Sequence, residues 1–325
     1  VNGYIWDTTA NTFNTIVDAA FPVKPIDVTY LDGFFVVANG DTNNFQLSSF
    51  NQGMVWGPAS NQFTTNIGLL PDQLIIGPSN IGGPADSRNY STGVTVSLTL
   101  GAGPGSLAGS GLAVSTTYYA ILVDASHIKL ATTYANAIAG TAITITANVT
   151  PIVNVVSDGQ LQQGSITSQP GTIVACRTLH RKLFLFSQFY TEVWENAGIG
   201  TNLPFRRNNG LLMEYGTPAI GSISVGFDLM IFLSQDRDGL GSVMEVKGTE
   251  SGPISNRALD FQLAQYAEAG HVADCRSFLV KENGLIFYRM NFTLANHTFV
   301  YGVTISNPAQ EEGKLWHEEE ILNGN

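Results

Sequence analysis

Charge is scarce in this sequence. Asp, Glu, Lys and Arg together make up 13% of its 325 residues, about half the share usual in soluble domains. Positive charge is scarcer still: 15 Lys and Arg stand against 26 Asp and Glu, a formal net charge of −11. A sequence-independent grip on nucleic acid needs clustered cations, and this balance argues against one. The two cysteines, Cys176 and Cys275, cannot build a disulfide framework and fit no zinc spacing. They read as buried thiols in equivalent places of two repeats. No apolar run approaches the ~18 residues of a membrane-spanning helix. The opening VNGYIWDTTANTF has neither the basic nor the apolar segment of a secretion signal. It also lacks an initiating Met and reads as the middle of a strand pair, so the chain is expected to be a fragment.

Catalytic patterns are missing too. There is no G-x-S-x-G or H-E-x-x-H, and the five histidines are scattered singly. GAGPGSLAGSG at 101–111 has glycines at G-x-G spacing but lies between strands, which suits a hairpin tip better than a phosphate cradle. In QDRDGLG at 235–241, Asp236 and Asp238 resemble the opening of a calcium loop. The later ligands are absent, and a plain Asp-Gly hairpin turn is the favoured reading. Glu192, Trp194, Glu195, Glu214 and Tyr215 place carboxylates near aromatics, as a glycosidase needs, but sequence cannot make two of them converge. No enzyme activity, cofactor or metal is expected. Phe205, Arg206 and Arg207 are candidates for partner binding from an exposed loop. Of the four N-x-S/T sequons, at Asn89, Asn148, Asn291 and Asn296, none carries weight in so Thr- and Asn-rich a chain.

What is present is the texture of an all-β protein: 34 Gly, 13 Pro and many Thr, Ser and Asn punctuate short runs of Val, Ile, Phe and Tyr. DVTYLDGFFVV at 27–37, CRTLHRKLFLF at 176–186, SISVGFDLMIF at 222–232 and SFLVKENGLIF at 277–287 share one strand–turn–strand outline. The second run of each is dense enough for a strand buried on both faces. Leu183 and Leu229 lie 46 residues apart and Leu229 and Leu285 lie 56 apart, whereas Phe34 and Leu183 are separated by 149. Removing about 100 residues restores a unit of about 50, the length of a four-stranded propeller blade. The expected fold is thus an all-β, incomplete β-propeller over 1–65 and 166–325. A small β-sandwich or barrel over 66–165 is inserted between two repeats. Its strands are VTVSLTL (94–100), TTYYAILVD (116–124), HIKLA (127–131) and AITITANV (142–149). Tyr4, Trp6, Tyr301 and Trp316 are expected to pack between blades. One helix is predicted over Arg257–Glu268, capped by Ser255 or Asn256.

Several consecutive blocks carry a family likeness: RKLFLFSQFYTEVWENAG (181–198), PFRRNNGLLMEYGTPAIGSI (204–223), LMIFLSQDRDGLGSVMEVKG (229–248), ISNRALDFQLAQY (254–266) and GLIFYRMNFTLANHTFVYGV through KLWHEEE (284–320). In order and spacing they resemble the packaged-DNA stabilisation proteins of short-tailed bacteriophages, also called tail accessory, tail-hub or nozzle proteins. The resemblance covers most of 25–65 and 166–320. Residues 66–165 instead resemble small β-domains grafted into various virion proteins. The long turn GVTISNPAQEEG is a second departure from the family pattern. The resemblance implies a structural virion protein, made in the bacterial host cytoplasm and assembled as a homo-oligomer, typically a hexamer. It implies a place below the portal and adaptor ring, with a tail spike or needle docked on it and DNA passing through without specific binding. A carbohydrate-binding or glycan-cleaving propeller is the alternative.

Overall fold

The computed structural model describes residues 3–8, 11–16, 20–48, 53, 56–57, 60–79, 90, 92–93, 95–100, 107–124, 126–149, 153–157, 163–197, 203–248 and 250–319. Residues 101–106 of the glycine-rich stretch, Asn89 and Glu320 lie outside them. The chain forms two compact units, one of residues 1–23, 33–35 and 46–163, the other of 24–32, 36–45 and 164–325. Among the described residues no helix is long and apolar enough to cross a membrane.

The chain opens on an antiparallel hairpin, β1 (Tyr4–Asp7) with β2 (Thr12–Thr15). Tyr4 stacks on Phe13 at 5.2 Å, and both remain exposed, as does Trp6. The expected packing of Tyr4 and Trp6 between blades is therefore not seen. Next come β3 (Pro25–Leu31), β4 (Phe34–Asn39) and β5 (Asn44–Leu47).

The chain then leaves for a closed barrel. Its strands are β6 (Ser60–Asn66), β7 (Leu70–Ser79), β8 (Thr95–Leu100), β9 (Thr117–Asp124), β10 (His127–Ala131) and β11 (Val153–Ser157), ordered β10-β7-β6-β11-β8-β9. Strand alternation sends Phe63, Leu74, Ile76, Val96, Leu98, Tyr118, Ile128 and Leu130 inwards, where they fill the interior. A short helix, α1 (Tyr134–Ile138), is capped by Thr133, whose side chain accepts from the Asn136 N–H. AITITANV is not a strand. Its backbone is satisfied piecemeal, Ile143 N–H by Leu130 O, Ile145 N–H by Asp72 Oδ1 and Val149 N–H by Thr65 Oγ1. Alternation there buries Ile145 and Val149 without a ladder.

The return is at β12 (Gln163–Ser165), which joins β5 in the sheet β12-β5-β4-β3. The inserted barrel thus interrupts the first blade between its third and fourth strands rather than standing between two repeats. Its strands begin at Ser60 instead of 66, and 163–165 belongs to a propeller sheet. Neither SNQFTTN nor QGS is apolar enough to announce itself as a strand.

Three more four-stranded antiparallel sheets follow. The first is β13 (Ile173–Leu179), β14 (Lys182–Ser187), β15 (Thr191–Asn196) and β16 (Phe205–Arg207). The next is β17 (Ser224–Gly226), β18 (Leu229–Asp236), β19 (Gly239–Lys247) and β20 (Glu250–Pro253). The last is β21 (Arg276–Glu282), β22 (Leu285–Phe292), β23 (His297–Gly302) and β24 (Trp316–Glu319). The fold is all-β, a set of propeller blades carrying a small barrel.

The dense second runs KLFLFS and LMIFLS are buried on both faces, as their composition requires, whereas in that of the last blade Leu285 is exposed and Ile286 and Phe287 are half-buried. Met230 and Phe232 pack with Phe184 and Phe186 of the preceding blade, while Leu229, Ile231 and Leu233 pack with Tyr288, Met290 and Phe292 of the following one. Phe186 and Phe232 meet edge to face at 4.9 Å. Helix α2 (Arg257–Glu268) fills the connection from β20 to β21 with Leu259 and Leu263 buried, and Asn256 Oδ1 accepts from Leu259 N–H as its cap. Trp316 lies against Tyr301 at 5.0 Å and donates to Ile254 O at 2.8 Å.

Each blade joins its first and second strands by a two-residue turn in which both residues have positive φ: Asp32 and Gly33 (49°, 89°), His180 and Arg181 (47°, 58°), Phe227 and Asp228 (51°, 69°), Asn283 and Gly284 (50°, 87°). That is the type I′ signature, whose twist matches the flanking strands. Two of the four turns lack glycine and carry strain, Phe227 most plainly, because a bulky side chain disfavours the left-handed region. Phe227→Asn is expected to raise stability by about 1 kcal/mol, read as a higher urea midpoint at unchanged slope.

Candidate functional site

The first strands of the four blades, β3, β13, β17 and β21, stand side by side, and polar bonds stitch them together. Asp27 on β3 accepts from the Cys176 N–H at 2.8 Å and pairs with the Arg177 guanidinium, which also donates to Cys176 O at 2.8 Å. Burial pushes the Asp27 carboxyl above the usual carboxylate range, outweighing the opposing pull of Arg177 and the Cys176 N–H. Higher up, the hydroxyls of Thr29 and Thr178 share a hydrogen bond at 3.2 Å. At the turns, Arg181 pairs with Asp32 at 3.0 Å, and Asn196 Nδ2 donates to Asp32 at 3.2 Å.

The neighbouring joint is held differently. His180 Nε2 lies 2.9 Å from Asp228 Oδ1, linking the strained turns of the second and third blades. Between β17 and β21, Ser224 and Ser277 share a hydrogen bond at 2.7 Å, and Ser277 and Tyr288 donate to Ser222 O. At the opposite end of these strands is an open cavity of about 440 Å³, to which all four blades contribute, through Lys24, Ile26, Thr172, Val174, Ile220 and Ala273. Lys24 at its mouth is paired with Asp41. Its walls mix polar groups, Lys24, Asp41 and Thr172, with the apolar side chains of Ile26, Val174 and Ile220.

A second polar node holds the crossing from the first blade to the second. Glu192 on β15 is fully buried. Its Oε1 accepts from the N–H groups of Thr167 and Ser168, at 2.8 and 2.7 Å, and its Oε2 accepts from the Trp194 indole at 2.8 Å. Arg207 lies 3.5 Å away, and it also donates to Ser168 Oγ and Asn209 Oδ1. Such a carboxylate, with its lone pairs occupied, is a clamp rather than a proton shuttle.

The residues singled out in the sequence are dispersed. Glu195 points to the other face of β15 and pairs with Arg206 at 3.3 Å, while Glu214 is exposed and the Tyr215 hydroxyl donates to Ser251 Oγ at 2.6 Å. Phe205, Arg206 and Arg207 form a strand, not an exposed loop: Phe205 is buried and Arg207 serves the Glu192 clamp. Only Arg206 of the three stands well exposed. Asp236 caps its own turn by accepting from the N–H groups of Asp238 and Gly239. Among the described residues no three His, Cys, Asp or Glu gather as metal ligands. Both cysteines are free and buried, and burial pushes both thiols up, keeping them protonated and inert. Counted from the following turn they are not equivalent, Cys176 standing four residues before His180 and Cys275 eight before Asn283.

One cluster that the scattered histidines concealed lies at the β9–β10 turn. His127 Nδ1 is 2.7 Å from Asp124 Oδ1 and 3.2 Å from Ser126 Oγ. A hydrolytic triad needs the hydroxyl on Nε2 and the carboxylate on Nδ1; here both meet Nδ1, and the group locks a turn. The backbone N–H of Ser126 and the His127 ring hold the Asp124 carboxyl below the usual range.

A search of curated proteins finds no match. A family model does match, over residues 122–319, more than half of the chain; its description is "Bacteriophage P22 Gp10, beta-propeller". The matched stretch starts within β9, so it reaches further into the barrel than the likeness described from the sequence, and it does not include residues 25–65.

Proposed function

This chain belongs to the bacteriophage P22 Gp10 β-propeller family and is a structural protein of a phage virion, and from that premise we propose that it is a tail component seated below the portal and its adaptor. There, several copies surround and extend the DNA channel, retain the packaged genome and offer a surface to the spike or needle. The protein acts by position, not by catalysis. The family match over residues 122–319 is the observation that carries the reading.

Physical features support it. A part that must withstand the pressure of packaged DNA gains from blades joined by directed bonds as well as apolar packing, as at Asp27, Glu192 and Ser277. The fully buried Glu192 and the largely buried Asp27 are spent on these joints. An excess of 11 negative charges repels phosphate, so DNA slides past without sticking. Electron microscopy of the protein mixed with its cognate portal–adaptor complex tests the placement. The expected result is a ring of added density below the adaptor around an open channel, with no retardation of duplex DNA by the free protein at physiological salt. A protein that ignores the complex, or an assembled channel lined by Lys and Arg, would overturn it.

A further inference from the structure

The inserted barrel has a surface unlike the blades. From Gln46 to Gln163 there are only two cations, Arg88 and Lys129, and four carboxylates, Asp72, Asp86, Asp124 and Asp158. Among the described residues the side chains named above fill its interior, which leaves its outer face for a ligand. On that outside α1 packs through Ala137 against Ile121 and Ala131. Tyr134 and Ile138, one helical turn apart, are each left 58% exposed.

The Tyr134 ring is held in place. A Cβ on Gly93 would fall 2.7 Å from Tyr134 Cε2 and 3.5 Å from Ile138 Cδ1, so both side chains rest on bare glycine backbone, which at φ +93° suits no other residue. Tyr119 meets the ring edge-on at 6.3 Å. One side of the ring is thus supported while the residue stays largely open to solvent. Thr132 and Thr133 stand exposed beside it, and Asn136 donates from its amide to Thr132 Oγ1 at 3.3 Å. Residues 131–140 carry no charge.

We propose that this platform is a binding site for neutral carbohydrate. The C–H face of a pyranose stacks on a fixed aromatic ring, and its hydroxyls are matched by hydroxyl and amide groups at the edge. Residues 131–140 offer no cation, so a phosphorylated or acidic ligand would gain no ion pair from this segment. Two exposed large side chains also fall far short of the ~800 Å² per partner that a stable protein interface buries, which favours a small ligand over a second copy of the chain.

The test is NMR titration of the whole chain with maltohexaose, isomaltohexaose and cellohexaose. Saturable binding to at least one is expected, with a Kd of about 1 mM and shift changes centred on Tyr119, Tyr134 and Ile138. Tyr134→Ala is expected to weaken it about tenfold, and Gly93→Ala comparably, by pushing the ring aside. Tyr134→Phe keeps the stack and retains binding, which separates recognition from a general loss of structure. No saturation by any of the three sugars up to about 20 mM, or equal binding by Tyr134→Ala, overturns the proposal. So does Tyr134-dependent self-association in sedimentation, which would make a second copy the occupant.

Discussion

Replacing Glu192 by alanine is expected to lower the unfolding free energy of the blades by about 4 kcal/mol. The change leaves the Thr167 and Ser168 N–H groups and the Trp194 indole without an acceptor in a place closed to water. Each orphaned buried donor costs about 1–3 kcal/mol. The sum is not reached, because the space vacated by the side chain admits water and Arg207 keeps Ser168 and Asn209. Glu192→Gln is milder, about 2 kcal/mol: its carbonyl serves the two backbone donors, but its amide faces the indole N–H, donor against donor. Glu195→Ala, which removes an ion pair at the edge of the same strand, should stay within about 0.5 kcal/mol. Urea unfolding followed by fluorescence and circular dichroism measures all three. A loss below about 1 kcal/mol for Glu192→Ala would mean that the clamp contributes little.

Asp27→Ala should follow, at about 3 kcal/mol, because it strips the Cys176 N–H and Arg177 of their shared partner in a largely buried joint. Removing both charged side chains together, as Asp27→Leu with Arg177→Met, should restore most of the loss, since a buried pair repays its desolvation only in part. The pH dependence has a definite sign. The folded carboxyl titrates above its unfolded value, so the folded state holds the proton more tightly. Its stabilising contribution is complete below the unfolded carboxylate pKa of about 3.9 and is lost as pH rises through the higher folded value. Asp27→Asn, whose amide oxygen still accepts from Cys176, removes that component. Wild type and Asp27→Asn therefore diverge most in slope over the acidic range just above pH 4 or so. Parallel stability curves would contradict the raised pKa.

These joints explain why the blades were more legible in sequence than the bonds that hold them. KLFLFS and LMIFLS are apolar on both strand faces, and only the middle of a packed sheet stack accepts such a run. The turns were harder. Asp32-Gly33 and Asn283-Gly284 declare themselves, but His180-Arg181 and Phe227-Asp228 contain no glycine, and only alignment with the other two repeats marks them as left-handed. Glu192 shows no sign of burial in TEVWEN, because its partners are backbone N–H groups 24 and 25 residues away. Phe205 was misplaced for a related reason: FRR reads as polar, yet period-2 alternation and pairing with β15 bury its first residue. AITITANV has the alternation of a strand and buries its apolar face, but lies where side chains rather than a ladder take its amides.

The point at which the barrel interrupts the first blade has a consequence for synthesis. β5 is complete when Leu47 emerges, but its sheet neighbour β12 arrives only at Gln163. A random coil of more than a hundred residues between them would impose a loop-closure penalty. The barrel avoids most of it, because its first and last strands are partners, Ser60 facing Val156 across the ladder. Once it has folded, the gap to be closed shrinks to two short tethers, a saving of about 2 kcal/mol. The order of events on the ribosome would then be set by topology: the guest domain matures first and hands the host blade its closing strand.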